Sequence, residues 1–191
     1  MTVKEWVFVG LVFNVFWFLA VLGQNQTLWL TLPLIVLCWW RYTGSASFGL
    51  LVGVLGIVID TLWLHGGIFA FDKPQDAPMS ALTQVLDGVT EKTIPLWLMT
   101  LWIGFGSFVW VVRETVLGYP KVLVLMAFGI GGTMSYFAGF RLDAVAWPYG
   151  TGITFSILLV TWTAMGAVLI WLTERVSRRH DHAHLSHSPH E

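Results

Sequence analysis

The chain has 191 residues, of which 56% are hydrophobic and 11% are charged, and its formal net charge is -1. Soluble domains carry about a quarter charged residues, so this composition excludes an ordinary soluble domain. The small net charge gives no reason to expect a nucleic-acid partner. The single cysteine, Cys38, cannot form a disulfide within the chain.

Six apolar segments follow one another along the chain, separated by short stretches with Gly, Pro and polar residues. A membrane-spanning helix needs about 20 apolar residues, or about 17 at the short end. Continuous runs of this length predict helices, because barrel strands alternate over about ten residues. The sequence therefore predicts an all-α polytopic transmembrane bundle within residues 1–174, and no internal repeat is recognised in it. The six spans are residues 4–23, 25–40, 46–70, 95–112, 121–141 and 151–172.

The orientation of these spans is predicted from the positions of Lys and Arg, which are enriched in cytoplasmic loops. With a cytoplasmic N-terminus, seven fall on the cytoplasmic side and three on the other, so both termini are expected to be cytoplasmic. The seven are Lys4, Arg41, Arg113, Lys121, Arg175, Arg178 and Arg179, and the three are Lys73, Lys92 and Arg141.

Two segments outside the spans have distinctive patterns. In the connection at residues 72–94, Met79, Leu82, Leu86 and Val89 recur at helical spacing. This pattern fits a short amphipathic helix on the outer membrane surface as well as it fits an irregular loop. Residues 175–191 form a basic tail with five of the six histidines. We expect this tail to be disordered and cytoplasmic, and its spacing does not predict a metal site.

Asp60 is the most unusual residue within the spans. A charged side chain at the centre of a membrane helix costs about 2.5–3.5 kcal/mol on insertion scales, so it is expected to face protein or water and to have a partner. Small residues precede it at sequence separations of four, four, three and four, so they lie on the same helix face as Asp60. A stripe of small residues lets another helix approach closely. This stripe comprises Ser45, Gly49, Gly53, Gly56 and Asp60.

The fifth span supplies the expected partners of Asp60. Gly131, Ser135 and Gly139 form a second stripe of small residues, and Tyr136 lies at about the depth of Asp60. Arg141 at the outer end could reach inward along its aliphatic stem. Asn14 is expected to hydrogen-bond to a neighbouring helix, and Trp17 and Trp102 fall in about the same layer. The predicted buried polar site therefore comprises Asp60, Arg141, Tyr136, Asn14, Trp102 and Trp17. The helix-packing glycines are Gly49, Gly53, Gly56, Gly131 and Gly139.

This polar site has two interpretations. It is either a set of hydrogen bonds that fixes helix register, or a site for a ligand, an ion or a proton. His65 lies about 140° from Asp60 around the helix, which favours a histidine at a helix C-terminus over a catalytic residue. No catalytic motif, metal motif or cofactor motif is present, so neither a cofactor nor a metal is expected.

Four stretches carry a resemblance: "FNVFWFLAVLGQ", "IVIDTLWLHGGIFAF", "PLWLMTLWIGFGSFV" and "GIGGTMSYFAGFRLDAV". They resemble a bacterial family of small inner-membrane proteins that is known only as a domain of unknown function. The resemblance implies a multi-pass protein of the bacterial inner membrane in a lipid-related setting, and it implies no reaction. The residues at the family's motif positions are Asn14, Asp60, Pro95, Trp97, Trp102, Gly131, Gly132, Tyr136 and Gly139.

Three functions remain open from the sequence. The first is a non-enzymatic membrane protein that binds or passes a small molecule, or that assists lipid modification or a stress response. The second is an intramembrane lipid-modifying enzyme that uses Asp60. The third is a structural partner of a membrane complex. The expected partners are the lipid bilayer, lipids or a small molecule, and other membrane proteins.

Overall fold

The protein is helical over most of the chain that the structure describes. This computed structural model describes the backbone of residues 3–71 and 92–185 and the side chains of residues 4–71 and 92–176. The predicted all-α class is confirmed for these residues. The segment around Met79 to Val89, whose pattern fits an amphipathic helix and an irregular loop equally well, lies outside them. The helices are α1 Val3–Gly23, α2 Leu28–Arg41, α3 Ser45–His65, α4 Leu96–Val111, α5 Arg113–Gly118, α6 Lys121–Arg141 and α7 Gly150–Leu185, with a 3₁₀ helix at Gln24–Thr27.

Four of the described segments are long and apolar enough to cross a membrane. They are Lys4–Arg41, Ser45–His65, Lys121–Arg141 and Gly150–Val176. Helix α4, at Leu96–Val111, is equally apolar but shorter. The length and composition of these helices therefore indicate a membrane protein.

The segment Lys4–Arg41 folds back on itself as a hairpin of α1 and α2. Phe13 of α1 stacks on Phe108 of α4 with ring centroids 4.4 Å apart. Trp39 of α2 donates a hydrogen bond of 2.9 Å to the adjacent Ser107. A straight helix would separate Phe13 from Trp39 by about 39 Å, since each residue rises 1.5 Å. The reversal occurs at Gln24–Thr27, where Gln24 adopts a φ of 46°.

Helices α3 and α6 are two copies of one structural element. Each has 21 residues. Two residues beyond each helix the backbone turns left-handed, at Gly67 (φ 72°) and Asp143 (φ 56°). Three residues further on, Ala70 and Ala146 pair as an antiparallel bridge with N···O distances of 3.0 and 2.8 Å. The two helices therefore run in the same direction and end side by side.

The packing of the helix that follows each copy is also repeated. Gly56 of α3 packs against Trp102 of α4, and Gly132 of α6 packs against Trp162 of α7. A Cβ atom at Gly106 would lie 2.6 Å from Val52, and one at the equivalent Gly166 would lie 2.7 Å from Phe128. The pairs α3–α4 and α6–α7 therefore form parallel repeats related by a pseudo-twofold axis along the helices, an arrangement known from membrane transporters.

The two repeats meet through aromatic side chains. Trp102 and Trp162 stack across the boundary with centroids 5.1 Å apart and an interplanar angle of 9°. The α1–α2 hairpin packs against α4 and has no counterpart beside α7 in the part of the chain that the structure describes. The core of the protein thus lies between the repeats, where the predicted polar residues are found.

Charged residues cluster at the two ends of the bundle. Lys121 at the start of α6 forms an ion pair of 2.7 Å with Glu174. At the other end, His65 lies 3.0 Å from the carbonyl oxygen of Lys92. Helix α7 continues to Leu185, so part of the tail for which the sequence predicts disorder is helical. This difference has a simple cause, because no Gly or Pro follows Gly166 before Pro189.

Candidate functional site between the two repeats

Asp60 is buried in the centre of the bundle, with 2% of its surface exposed. The stripe of small residues that precedes it is buried as well, and it faces α4. Gly49 lies against Ser107 and Ile103, Gly53 against Ile103, and Gly56 against Trp102. The absence of side chains at these glycines lets α3 and α4 approach closely. This close approach brings the carboxylate within reach of groups on the neighbouring helices.

Two hydrogen-bond donors meet at one oxygen of Asp60. Trp102 of α4 donates from Nε1 to Oδ2 over 2.6 Å, and the hydroxyl of Tyr136 of α6 donates to the same atom. A carboxylate is an acceptor with several lone pairs, so it can accept both bonds at once. Bonds to an ionised acceptor are stronger than neutral ones. The carboxylate therefore links α3, α4 and α6.

The contact between Asp60 and Tyr136 crosses the pseudo-twofold axis. Asp60 follows Gly56 by four residues, and Tyr136 follows the equivalent Gly132 by four residues. The two side chains thus occupy the same position in the two repeats. The acid and the phenol form a complementary pair at this position, because two carboxylates there would repel each other.

Aromatic rings enclose this polar link. Phe69, after the end of α3, stacks on Tyr136 with centroids 5.3 Å apart. Trp162 meets Tyr136 at 6.0 Å and covers Trp102 from the other side. All four rings are buried, as is the carboxylate. These surroundings are largely apolar, and a low local dielectric strengthens the hydrogen bonds and makes an unpaired donor costly.

A cavity of about 600 Å³ adjoins the link and lies at the interface between the repeats. Trp102 and Leu98 of α4, and Tyr136 and Gly131 of α6, are among its lining residues, and α1 and α5 complete the walls. Most of the lining is aliphatic or aromatic. Trp17 of α1 donates a hydrogen bond of 2.8 Å to Ser135 beside it. The cavity can therefore hold an apolar molecule against the aromatic side of the Asp60 link.

Two residues of the predicted polar site lie elsewhere. Arg141 is exposed at the end of α6 and forms no ion pair with Asp60 among the described residues. Trp102 supplies the second donor instead. Asn14 is exposed and bonds to Gly10 of its own helix over 2.9 Å, so the predicted bond to a neighbouring helix is wrong. In both cases the helix rotation, which a single sequence does not define, turns the side chain outward.

The family described as "Protein of unknown function (DUF2878)" matches residues 6–168 of this chain. The chain belongs to this family. No curated protein and no solved structure matches it. The matched range includes Asp60, Trp102 and Tyr136 and extends over all residues that line the cavity, from Trp6 to Trp162. The site and the cavity therefore lie within the part of the chain that defines the family.

The predicted packing glycines divide into two groups. Gly49, Gly53 and Gly56 lie in close contact with α4, as described above. A Cβ atom at Gly131, which borders the cavity, would meet no atom within 4 Å, and one at Gly139 would meet only Val145, at 3.7 Å. Gly131 therefore makes no close helix contact among the described residues, whereas Gly139 is buried and lies against Val145, in the segment that follows α6. Gly129 and Gly132 occupy the face of α6 that packs against α7. The G-x-x-G spacing at 53–56 and 129–132 is the sequence signal for this face.

The polar groups at the site are the carboxylate of Asp60, the hydroxyl of Tyr136 and the indole N–H of Trp102, and apolar side chains surround them. Among the described residues, no three side chains of the His, Cys, Asp or Glu type come together as they would around a metal ion. His65 is exposed at the end of α3 and contacts Lys92. Phe69 and Trp162 were not singled out from the sequence, because a lone aromatic residue in an apolar segment carries no signal of its position.

Proposed function

We propose that this protein is a six-span membrane protein that binds an apolar small molecule in the cavity between its repeats and does not transform it. In this proposal both termini are cytoplasmic and the membrane is the bacterial inner membrane. The observation that carries the proposal is the apolar cavity of about 600 Å³ beside Trp102 and Tyr136. Ligand sites in proteins are typically apolar clefts of about 300–1,000 Å³, often at the interface between repeats.

The hairpin of α1 and α2 supports six spans. It brings Lys4 and Arg41 to the same end of the bundle as Arg113, Lys121 and Arg175, which matches the excess of basic residues expected on the cytoplasmic side. Helices α2 and α4 have 14 and 16 residues, which is short for a crossing. Neighbouring helices cover α4 on several sides, and a short helix can cross where the bilayer adapts to it.

The arrangement of Asp60 supports binding over catalysis. Both available donors, from Trp102 and Tyr136, already bond to its Oδ2 atom. A general acid or base needs to reach the reacting atom directly or through one water molecule. The carboxylate lies behind the two aromatic side chains that face the cavity. It therefore acts as the fixed link that holds the cavity walls in place.

A second candidate function is an intramembrane enzyme that acts on a lipid. One observation favours it: Tyr136 borders the cavity and also bonds to Asp60, so the phenol could pass a proton between them. Under this alternative, the pair Asp60 and Tyr136 would be the acid and base.

Lipid extraction from the purified protein and comparative lipidomics of a deletion strain together separate the two functions. Binding predicts that an apolar molecule copurifies with the protein, that the cavity-filling variant Ala127→Leu loses it, and that the total lipid composition of the deletion strain is unchanged. The matched control Ala164→Leu, on the exposed side of α7, should retain it. An altered lipid composition that Asp60→Asn also produces at normal expression would favour the enzyme. A protein that purifies free of any apolar molecule would refute binding.

A further inference from the structure

The cavity exists because the two repeats differ along one helix face. On α6, the small residues Ala127, Gly131 and Ser135 line the cavity at steps of four. The equivalent residues of α3 are large: Leu51, Leu55 and Ile59. If α6 carried the large residues of α3 at these three positions, their branched side chains would fill the space. The smaller residues of α6 therefore account for the cavity.

The cavity is elongated along the helices. Its lining on α6 runs from Leu123 to Tyr136, which corresponds to about 20 Å at 1.5 Å per residue. On α1 it runs from Trp6 to Trp17, a similar length. A compact ligand such as a single ring system would leave most of this length empty, whereas an extended hydrocarbon chain would fill it.

The inner end of the cavity offers no free polar group from the residues that form the Asp60 link. The donors of Trp102 and Tyr136 bond to Asp60, and the donor of Trp17 bonds to Ser135. The Ser135 hydroxyl, which accepts the Trp17 bond, is a polar group of an otherwise largely apolar lining at this depth. A mainly apolar end of the occupant fits this lining, because a buried polar group without a partner is costly.

The mouth of the cavity, near the start of α6, is open and more polar than the end beside Tyr136. Tyr119 is 60% exposed and Leu123 is 55% exposed, and both line the cavity. Thr115 lines it as well, and Lys121 and Arg113 lie close by in the chain. In the proposed six-span topology this end lies at the membrane–water boundary, where a lipid head group resides.

We infer that the cavity binds one acyl chain of a membrane phospholipid, lying lengthwise along α6. The chain end lies beside Tyr136, and the head group stays at the rim formed by Thr115 and Tyr119. This inference rests on the proposed function and names the class of its ligand. The lipid comes from the leaflet that faces the Lys121 end of the bundle.

A photoactivatable phospholipid tests the inference in vesicles that contain the full-length protein. One phosphatidylcholine carries a diazirine at the end of an acyl chain, and a second carries it next to the head group. The first should label α4 and α6 around Leu101, Phe105 and Ser135, and the second should label the region of Tyr119. Labelled peptides are identified by mass spectrometry.

Gly131→Leu, which copies the equivalent Leu55, should lower the chain-end labelling at least tenfold. The exposed Ala164→Leu should leave it unchanged, and thermal unfolding should show that both variants are folded. If Gly131→Leu is not folded, Ala127→Leu serves the same purpose. Chain-end labelling that survives filling of the cavity, or that is as strong on the exposed side of α7, would overturn the inference.

The failure of this inference differs from the failure of the proposed function. If an apolar molecule copurifies with the wild-type protein and not with Gly131→Leu, while no phospholipid labels the cavity, the ligand is a free small molecule. The inference is then wrong and the proposed function stands. If no molecule copurifies and no lipid labels the cavity, both are wrong.

Discussion

Replacement of Asp60 tests whether the buried carboxylate links the two repeats. In Asp60→Leu the indole of Trp102 and the hydroxyl of Tyr136 lose their common acceptor. Both side chains are buried among aromatic rings, so loss of the carboxylate leaves their donors in a largely apolar environment. Asp60→Asn retains a carbonyl oxygen as acceptor in a side chain of the same size, and it provides the matched control.

The size of the effect follows from the number of donors left without a partner. An unsatisfied buried group costs about 1–3 kcal/mol, so two donors correspond to a loss of about 2–6 kcal/mol in Asp60→Leu. Interhelical hydrogen bonds in membrane proteins average about 0.6 kcal/mol, which places the result toward the lower end of this range. Asp60→Asn should lose no more than about half as much. Tyr136→Phe removes one donor and leaves Trp102 bonded, so its effect should also be smaller than that of Asp60→Leu.

Reversible unfolding in mixed micelles, followed by tryptophan fluorescence, measures these differences. A double-mutant cycle of Asp60→Asn with Tyr136→Phe gives the coupling between the two side chains, which is expected to be favourable to folding. The reasoning would be refuted if Asp60→Leu were as stable as the wild type. It would also fail if Asp60→Asn were as unstable as Asp60→Leu, because the shared acceptor would then not be the cause.

Three further predictions concern helix packing, the hairpin and the exposed asparagine. Gly132→Ala should destabilise the protein by about 1–3 kcal/mol, because the added Cβ would overlap the ring of Trp162. Gly131→Ala is the control: its Cβ has free space, so it should change the stability by less than about 1 kcal/mol. Thermal unfolding of the two variants compares them directly. Single cysteines can be introduced at Lys4 and at Arg41 in a background without Cys38. Both should react with a membrane-impermeant thiol reagent from the same side of the membrane. Labelling from opposite sides would show that the segment crosses the membrane only once. Asn14→Leu should change the free energy of unfolding by less than about 0.5 kcal/mol, because the amide bonds only to its own helix. A large loss of stability would contradict the exposed position of Asn14.

The position of the polar link could be predicted in part from the sequence. The stripe from Ser45 to Asp60 defines which face of α3 packs, because the period of the helix fixes the relation between residues of one segment. Tyr136 was a candidate partner because its depth in the fifth span matches that of Asp60. Trp102 was placed in the same layer, but nothing in the sequence indicated that its indole, and not the guanidinium of Arg141, would meet the carboxylate.

The internal repeat is not recognisable in the sequence for a related reason. The two copies share few identical residues, among them the glycines of the G-x-x-G spacing and the tryptophans at 102 and 162. A small residue is required only where two helices touch, so the repeated signal is confined to these contact positions. The sequence does not distinguish the roles of the adjacent glycines Gly131 and Gly132. Gly131 borders the cavity, whereas Gly132 packs against α7.

The sequence by itself determined the helical class, the approximate limits of the helices and the burial of Asp60, because all three follow from hydrophobicity along one segment and from the cost of a charge in an apolar phase. The tertiary structure decided which helices are neighbours, how each is rotated and where space remains between them. These properties depend on contacts between residues far apart in the chain, so the cavity along α6 and the meeting of the two repeats at Asp60 and Tyr136 became visible only in three dimensions.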